Sequence, residues 1–198
     1  AGGSLPFLSG ELDMEIARQF YNEKANLWTY SGKPPWLQFY RFGAIPALVV
    51  AAVALSVLVL GMGRHRLASS RKLSAFLVLS LLAGPGLVAN FLLKEHWGRP
   101  RPNETGGLGG ADPFERLLTI DPATEGHSFV SVPASMGFYF FAAGLALLAC
   151  RRRKTGILVI VAAGTYGTCI GVACLAQGLH FASDILWSAA VVWFASAV

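Results

Sequence analysis

His180 and Asp184 stand four residues apart in Gln177-Gly178-Leu179-His180-Phe181-Ala182-Ser183-Asp184, a spacing that places both on one face of a helix. A carboxylate at that distance can accept a hydrogen bond from one imidazole nitrogen. The other nitrogen is then a lone-pair donor, suited to act as nucleophile or base. A second group, Lys94-Glu95-His96-Trp97-Gly98-Arg99-Pro100-Arg101-Pro102, offers Lys94 and Arg101, whose charge and directed donors suit a phosphate. A third, His127-Ser128-Phe129-Val130-Ser131, brings the Ser131 hydroxyl to the opening of an apolar run, where a helix N-terminus favours anions. Each group also has a plainer reading. Lysine and arginine at a helix end anchor it by snorkelling, a His–Asp pair at this spacing can be a structural hydrogen bond, and a serine there can be a cap or a packing residue.

The elements that must carry these residues are legible from where charge is missing. Only 14% of the 198 residues are charged and 54% are hydrophobic, against roughly 25% charged in an average soluble chain. Residues 42–63, 73–93 and 128–150 contain no Asp, Glu, Lys or Arg, and 155–198 contain only Asp184. A helix that crosses a bilayer needs about 20 mostly apolar residues. The reading is an all-α, polytopic transmembrane bundle with five spans: 42–63, 73–93, 128–150, 155–175 and 181–198. Gly84-Pro85-Gly86 is expected to bend the second, which membrane helices tolerate when neighbours satisfy the freed backbone groups.

The basic residues sort by side. Arg64, Arg66, Arg71 and Lys72 lie between the first two spans, and Arg151, Arg152, Arg153 and Lys154 between the third and fourth, with no acid in either loop. The segment 94–127 holds four basic and six acidic residues. The positive-inside rule puts the two basic loops in the cytoplasm. The 94–127 loop, the 176–184 turn and the N-terminal segment then share the outer face with all three polar groups. The net charge of +5 is thus a topology signal and not a nucleic-acid footprint. Residues 1–41 form a separate N-terminal segment ahead of the 42–198 transmembrane domain. Leu8, Leu12, Ile16 and Phe20 recur at i+4 with Glu11, Asp13, Glu15 and Arg18 between them, the pattern of an amphipathic helix at the interface. Trp28, Tyr30, Trp36, Phe39 and Tyr40 then form an aromatic belt. Three cysteines exclude a disulfide framework.

In combination, the polar groups resemble the type 2 phosphatidic acid phosphatase (PAP2) family, which shares its helical core with vanadium haloperoxidases. The family pattern is K-x6-R-P, then P-S-G-H, then S-R-x5-H-x3-D. Lys94 to Arg101-Pro102 matches the first part, and His180 to Asp184 the second half of the third. The resemblance covers roughly residues 40–198, and the segment 13–21 also looks like bacterial lipid phosphatases. It implies a bacterial inner-membrane protein with its site on the periplasmic side, and six spans, so that a further N-terminal helix is expected. It implies His180 as nucleophile, Asp184 as its orienter, Lys94, Arg101 and Ser131 as phosphate-binding residues, and no metal or other cofactor.

The departures are in the same motifs. After Ser131 stand Val132 and Pro133 where the family has Gly-His, and Ala173 and Cys174 stand where it has Ser-Arg. The general acid, one phosphate-binding arginine and a glycine are therefore replaced. A positioned general acid contributes about 10²–10⁴ in rate, and loss of one preorganised donor costs about 10²–10³. The expectation is a catalytically impaired homologue that binds a lipid or phosphate, acting on membrane lipids or as an accessory subunit beside other membrane-protein subunits. The alternatives are an active lipid phosphatase (phosphatidate, lipid A or polyprenyl diphosphate type) with His127 as substitute acid, and a small transporter or channel.

Overall fold

The computed structural model describes residues 10–62, 68–117, 119–120 and 126–197. Leu8, Arg64 and Arg66, which entered the amphipathic and basic-loop readings, lie outside them. The chain is a helical bundle: α1 (Glu11–Arg18), a two-stranded antiparallel hairpin of β1 (Tyr21–Asn22) and β2 (Leu27–Trp28), α2 (Trp36–Phe42), α3 (Ile45–Leu60), α4 (Ala68–Leu81), a π-helix (Leu82–Lys94), α5 (Val132–Phe138), α6 (Phe141–Ala149), α7 (Arg153–Ala176) and α8 (Ala182–Ala197). Four stretches are long and apolar enough to cross a membrane: Trp36–Leu60, Ser70–Lys94, Val132–Ala149 and Arg153–Ala176; Ala182–Ala197 is a shorter apolar helix. Large apolar side chains such as Leu60, Leu158 and Phe194 point outward, each 68% exposed. This is a surface built to face lipid.

Several boundaries differ from the sequence reading, two of them for reasons visible in the structure. The first span begins at Trp36, because the aromatic stretch before residue 42 is itself the helix α2. The third begins at Val132, four residues later than expected. Ser128–Ser131 stay out of the helix because Ser131 is its N-cap, accepting a hydrogen bond from the Ala134 amide at 3.4 Å, with Pro133 in the first turn, where a proline loses no hydrogen bond. The expected disturbance at Pro85 takes the form of π-winding from Leu82 to Lys94. A proline inside a helix removes one backbone donor, and a wider turn is one of the local adjustments that absorb the loss.

Small residues set the spacing inside the bundle. A Cβ on Gly137 of α5 would meet the backbone of Gly167 on α7, and one on Gly171 would run into Ile185 of α8. Close backbone approach through glycine is how helices associate where no hydrophobic drive separates them from lipid. Tyr166 on α7 donates to the Gly43 carbonyl at 2.9 Å, fixing the α2–α3 junction. At the end of the bundle that carries Lys94, Ser131 and Asp184, α1 and the hairpin pack over the helix termini through Ala17, Leu108 and Phe181, with Tyr21 and Trp28 beside them.

The buried face of α1 is not the predicted apolar stripe. Its most buried residues are Asp13 and Ala17, while Leu12 and Ile16 are only half-buried. Asp13, which the amphipathic pattern assigned to the polar face, is fully enclosed.

Candidate active site

The turn that carries His180 follows from its glycine. The amide of Leu179 donates to Cys174 O at 3.0 Å and that of Gly178 to Leu175 O at 2.9 Å, with Gly178 at φ 73°. This is a Schellman end to α7, which needs a left-handed residue just past the helix. It drops His180 between α7 and α8, where it is 5% exposed.

Nδ1 of His180 lies 2.7 Å from the carbonyl of Ser128. A carbonyl can only accept, so Nδ1 carries the proton and Nε2 the lone pair. The imidazole pKa is pushed down to about 3, chiefly by burial; the Ser128 carbonyl works against this, and Lys94, Arg101 and Arg99 add to it. His180 is therefore neutral near pH 7, with an unprotonated Nε2 in the field of three cations.

Asp184 does not take the hydrogen bond predicted for it. Its Oδ2 stands 4.0 Å from His180 Nδ1. That oxygen accepts instead from Ser128 Oγ at 2.6 Å and from the Phe181 amide at 2.8 Å. Phe181 precedes α8 and Asp184 is its third residue, so the second bond is half of a capping box. Asp184 is thus linked to His180 at one remove, through the residue whose carbonyl accepts from the ring.

The other oxygen of Asp184 accepts from Arg99 at 2.5 Å, and Arg99 reaches Asp13 at 2.8 Å with its second terminal nitrogen. Ser183 completes the group: its Oγ accepts from Arg99 at 2.9 Å and donates to Asp13 at 2.5 Å, while its amide donates to Asp13 at 2.9 Å. Arg99, Asp13, Ser183 and Asp184 are all fully or almost fully buried. Burial works to lower the pKa of Arg99, but the facing carboxylates of Asp184 and Asp13 outweigh it and raise the value above the ordinary one. The guanidinium also lies over the Phe181 ring, 4.4 Å from its centroid. The sequence reading assigned no site role to Arg99, Ser128 or Ser183, and placed Asp13 on the polar face of an amphipathic helix. The one available signal was Asp184 itself, a lone acid in an apolar run, which needs a cation to be buried.

Lys94 ends the π-helix, and Arg101 begins the next turn, held by its amide to Glu104 Oε2 at 2.8 Å and by its carbonyl to Thr105 Oγ1 at 2.8 Å. Both side chains are half-buried, and among the described residues neither is in an ion pair. They are the cations left available to an anion beside His180. His127 is half-buried next to them, with Nδ1 3.2 Å from the Lys94 carbonyl. Ser131, expected at the phosphate, is fully buried and engaged as the α5 cap and as a partner of Cys174. Cys174 is itself buried and within the field of Lys94. Among the described residues no three His, Cys, Asp or Glu side chains cluster to hold a metal ion.

The PAP2 superfamily profile matches residues 73–198, and Lys94, Arg101, His180 and Asp184 all fall inside it. The chain belongs to the PAP2 superfamily. Among PAP2 proteins it is 32% identical to a lipid A 4'-phosphatase of Francisella tularensis subsp. novicida over 190 residues, 93% of this chain and 83% of that protein. It is 34% identical over 120 residues to a lipid A 4'-phosphatase of Rhizobium leguminosarum, and 35% identical over 120 residues to one of Rhizobium etli, covering 59% of this chain and 50% and 45% of those proteins. No solved structure matches. It is an integral membrane protein of the lipid-phosphatase type, with the PAP2 motifs gathered at one end of the bundle.

Proposed function

We propose that this PAP2 protein binds the phosphate monoester of a lipid A-type headgroup at Lys94, Arg101 and His180, on the periplasmic side of a bacterial inner membrane, and that its turnover is impaired. The observation that carries the reading is the hydrogen bond from His180 Nδ1 to Ser128 O, which leaves Nε2 bare beside two cations that make no ion pair among the described residues. That arrangement favours attack on phosphorus: Nε2 forms the N–P bond, the ester P–O bond breaks, and its electron pair leaves on the alkoxide oxygen. Lys94 and Arg101 stabilise the charge on the remaining oxygens. Water then releases phosphate from the phosphohistidine.

The alkoxide needs a proton, and residue 133 is a proline. Position 174, within the field of Lys94, offers a thiol where the family has a guanidinium. Binding survives these changes better than turnover, which fits a lipid-binding or accessory role in a membrane assembly. The test uses purified protein in nanodiscs. Orthovanadate is expected to bind the wild type and to lose affinity in Lys94→Ala and Arg101→Ala. Phosphate release from lipid A is expected at least about 10²-fold below that of an active relative. Release at the relative's rate overturns the impairment.

One observation favours a second reading, an active phosphatase. His127 holds the Lys94 carbonyl and adjoins Ser128, so it stands at the rim where a leaving-group acid would work. On this reading His127→Ala and His180→Ala both abolish phosphate release. A transporter or channel gains no support, because Asp184 is closed off by Arg99 and Ser128.

A further inference from the structure

The N-terminal helix α1 contributes a buried carboxylate to the site's supporting structure, and no motif of the family pattern includes it. We infer that Asp13 is a positioning residue for His180, acting from α1 through Arg99, Asp184 and Ser128.

Each link is a direct bond. Asp13 accepts from Arg99 Nη2, Arg99 Nη1 donates to Asp184 Oδ1, Ser128 Oγ donates to Asp184 Oδ2, and Ser128 O accepts from His180 Nδ1. Without Asp13, Arg99 would have one buried carboxylate partner and could rotate toward it, changing which Asp184 oxygen faces Ser128. Asp13 also accepts from the Ser183 amide, a free donor in the first turn of α8. It therefore caps, from a different helix, the helix that carries Asp184. The anchor is buried: Ala17, one turn along α1, is 1% exposed and lies in one core cluster with Phe181, the neighbour of His180. Buried charge networks of this kind fix a geometry more than they add stability.

The inference rests on the phosphoryl-site reading, but the experiment reads His180 without any ligand. Protein labelled with ¹⁵N-histidine is reconstituted in nanodiscs, and its ring nitrogens are recorded at pH 7, with the His180 signals assigned by loss in His180→Gln. The wild type is expected to give two well-separated signals, a protonated Nδ1 and a bare Nε2. Asp13→Asn, which keeps the shape and removes the charge, is expected to draw them toward their mean as both tautomers are populated; Asp13→Glu is expected to restore part of the separation. A folded Asp13→Asn protein with a lowered melting temperature and unchanged His180 signals overturns the proposal, since that is what a purely structural role predicts. If Asp13→Asn does not fold, Ser183→Ala, which removes the hydroxyl between Asp13 and Arg99, is expected to shift the signals in the same direction, and unchanged signals there overturn it equally. Failure of the wild type to bind orthovanadate overturns the phosphoryl reading alone, because the tautomer is measured without it.

Discussion

His180 and Asp184 are joined through Ser128: the imidazole donates to the serine carbonyl at 2.7 Å, the carboxylate accepts from the serine hydroxyl at 2.6 Å, and the two ionisable groups stay 4.0 Å apart. A serine that follows a glycine and a histidine in a loop thereby becomes the hinge of the site. Its backbone sets the tautomer, and its side chain sets where that backbone lies.

Ser128→Ala keeps the carbonyl and removes the hydroxyl. Asp184 then loses one of its partners in a buried setting, and the protein is expected to be destabilised by about 1–3 kcal/mol. Thermal unfolding in detergent measures the loss. Orthovanadate affinity is expected to fall with it, as the His180 carbonyl partner loses its restraint.

Replacing Arg99 should cost more. Arg99→Met leaves Asp13 and Asp184 buried without a cation, a change expected to destabilise by about 3–5 kcal/mol. Arg99→Lys is expected to recover only part, because an ammonium cannot reproduce the planar fork that reaches Asp13, Ser183 and Asp184 together. Melting temperatures of the two variants against the wild type decide the order.

Acid should weaken the fold through His180. In the unfolded chain a histidine takes up a proton below about pH 6.5, whereas folded His180 does so only near 3. Between those values the unfolded chain holds more protons, so stability rises with pH and is lost as pH falls below 6.5. The loss from pH 7 to pH 5 is expected to be about 2 kcal/mol. His180→Gln is expected to remove this share of the pH dependence, which a series of melts from pH 5 to 7.5 reads directly.

Rebuilding the motifs should restore turnover. Cys174→Arg places a guanidinium at a position within the field of Lys94, and is expected to raise phosphate release by about 10²–10³. Val132→Gly with Pro133→His returns an acid and is expected to give about 10²–10⁴. The combined variant is not expected to equal the product of the two, since such groups act as a unit. Phosphate release from lipid A in proteoliposomes is the measurement.

Much of the architecture is legible in the amino-acid sequence. Long uncharged runs located the four stretches long enough to cross a membrane and the shorter apolar helix Ala182–Ala197, because the bilayer tolerates few charges and the chain shows this directly. Lys94, Arg101, His180 and Asp184 were recognisable because their spacing follows a family pattern, and the Val132-Pro133 and Cys174 substitutions were visible for the same reason. Asp13 was not legible: among Glu11, Glu15 and Arg18 it looks like any acid on a solvated face, and its partners lie 86 and 170 residues away. The start of α5 was missed for a related reason. Ser128–Ser131 are as uncharged as a helix would be, but their backbone is committed to His180 and Arg99, the latter through the Ser128 amide at 2.9 Å.

The 170-residue separation between Asp13 and Ser183 also dictates an order of assembly. The ribosome makes α1 before the four long apolar stretches from Trp36 to Ala176 and α8 after them, so Asp13 waits through the synthesis of that region before its amide partner exists. Contacts this distant form late, because the chain between them must be organised first. A nascent chain can have most of its helices in the bilayer and still lack a fixed His180. The docking of α1 onto α8 is therefore the step that closes the buried group of Asp13, Arg99, Ser183 and Asp184.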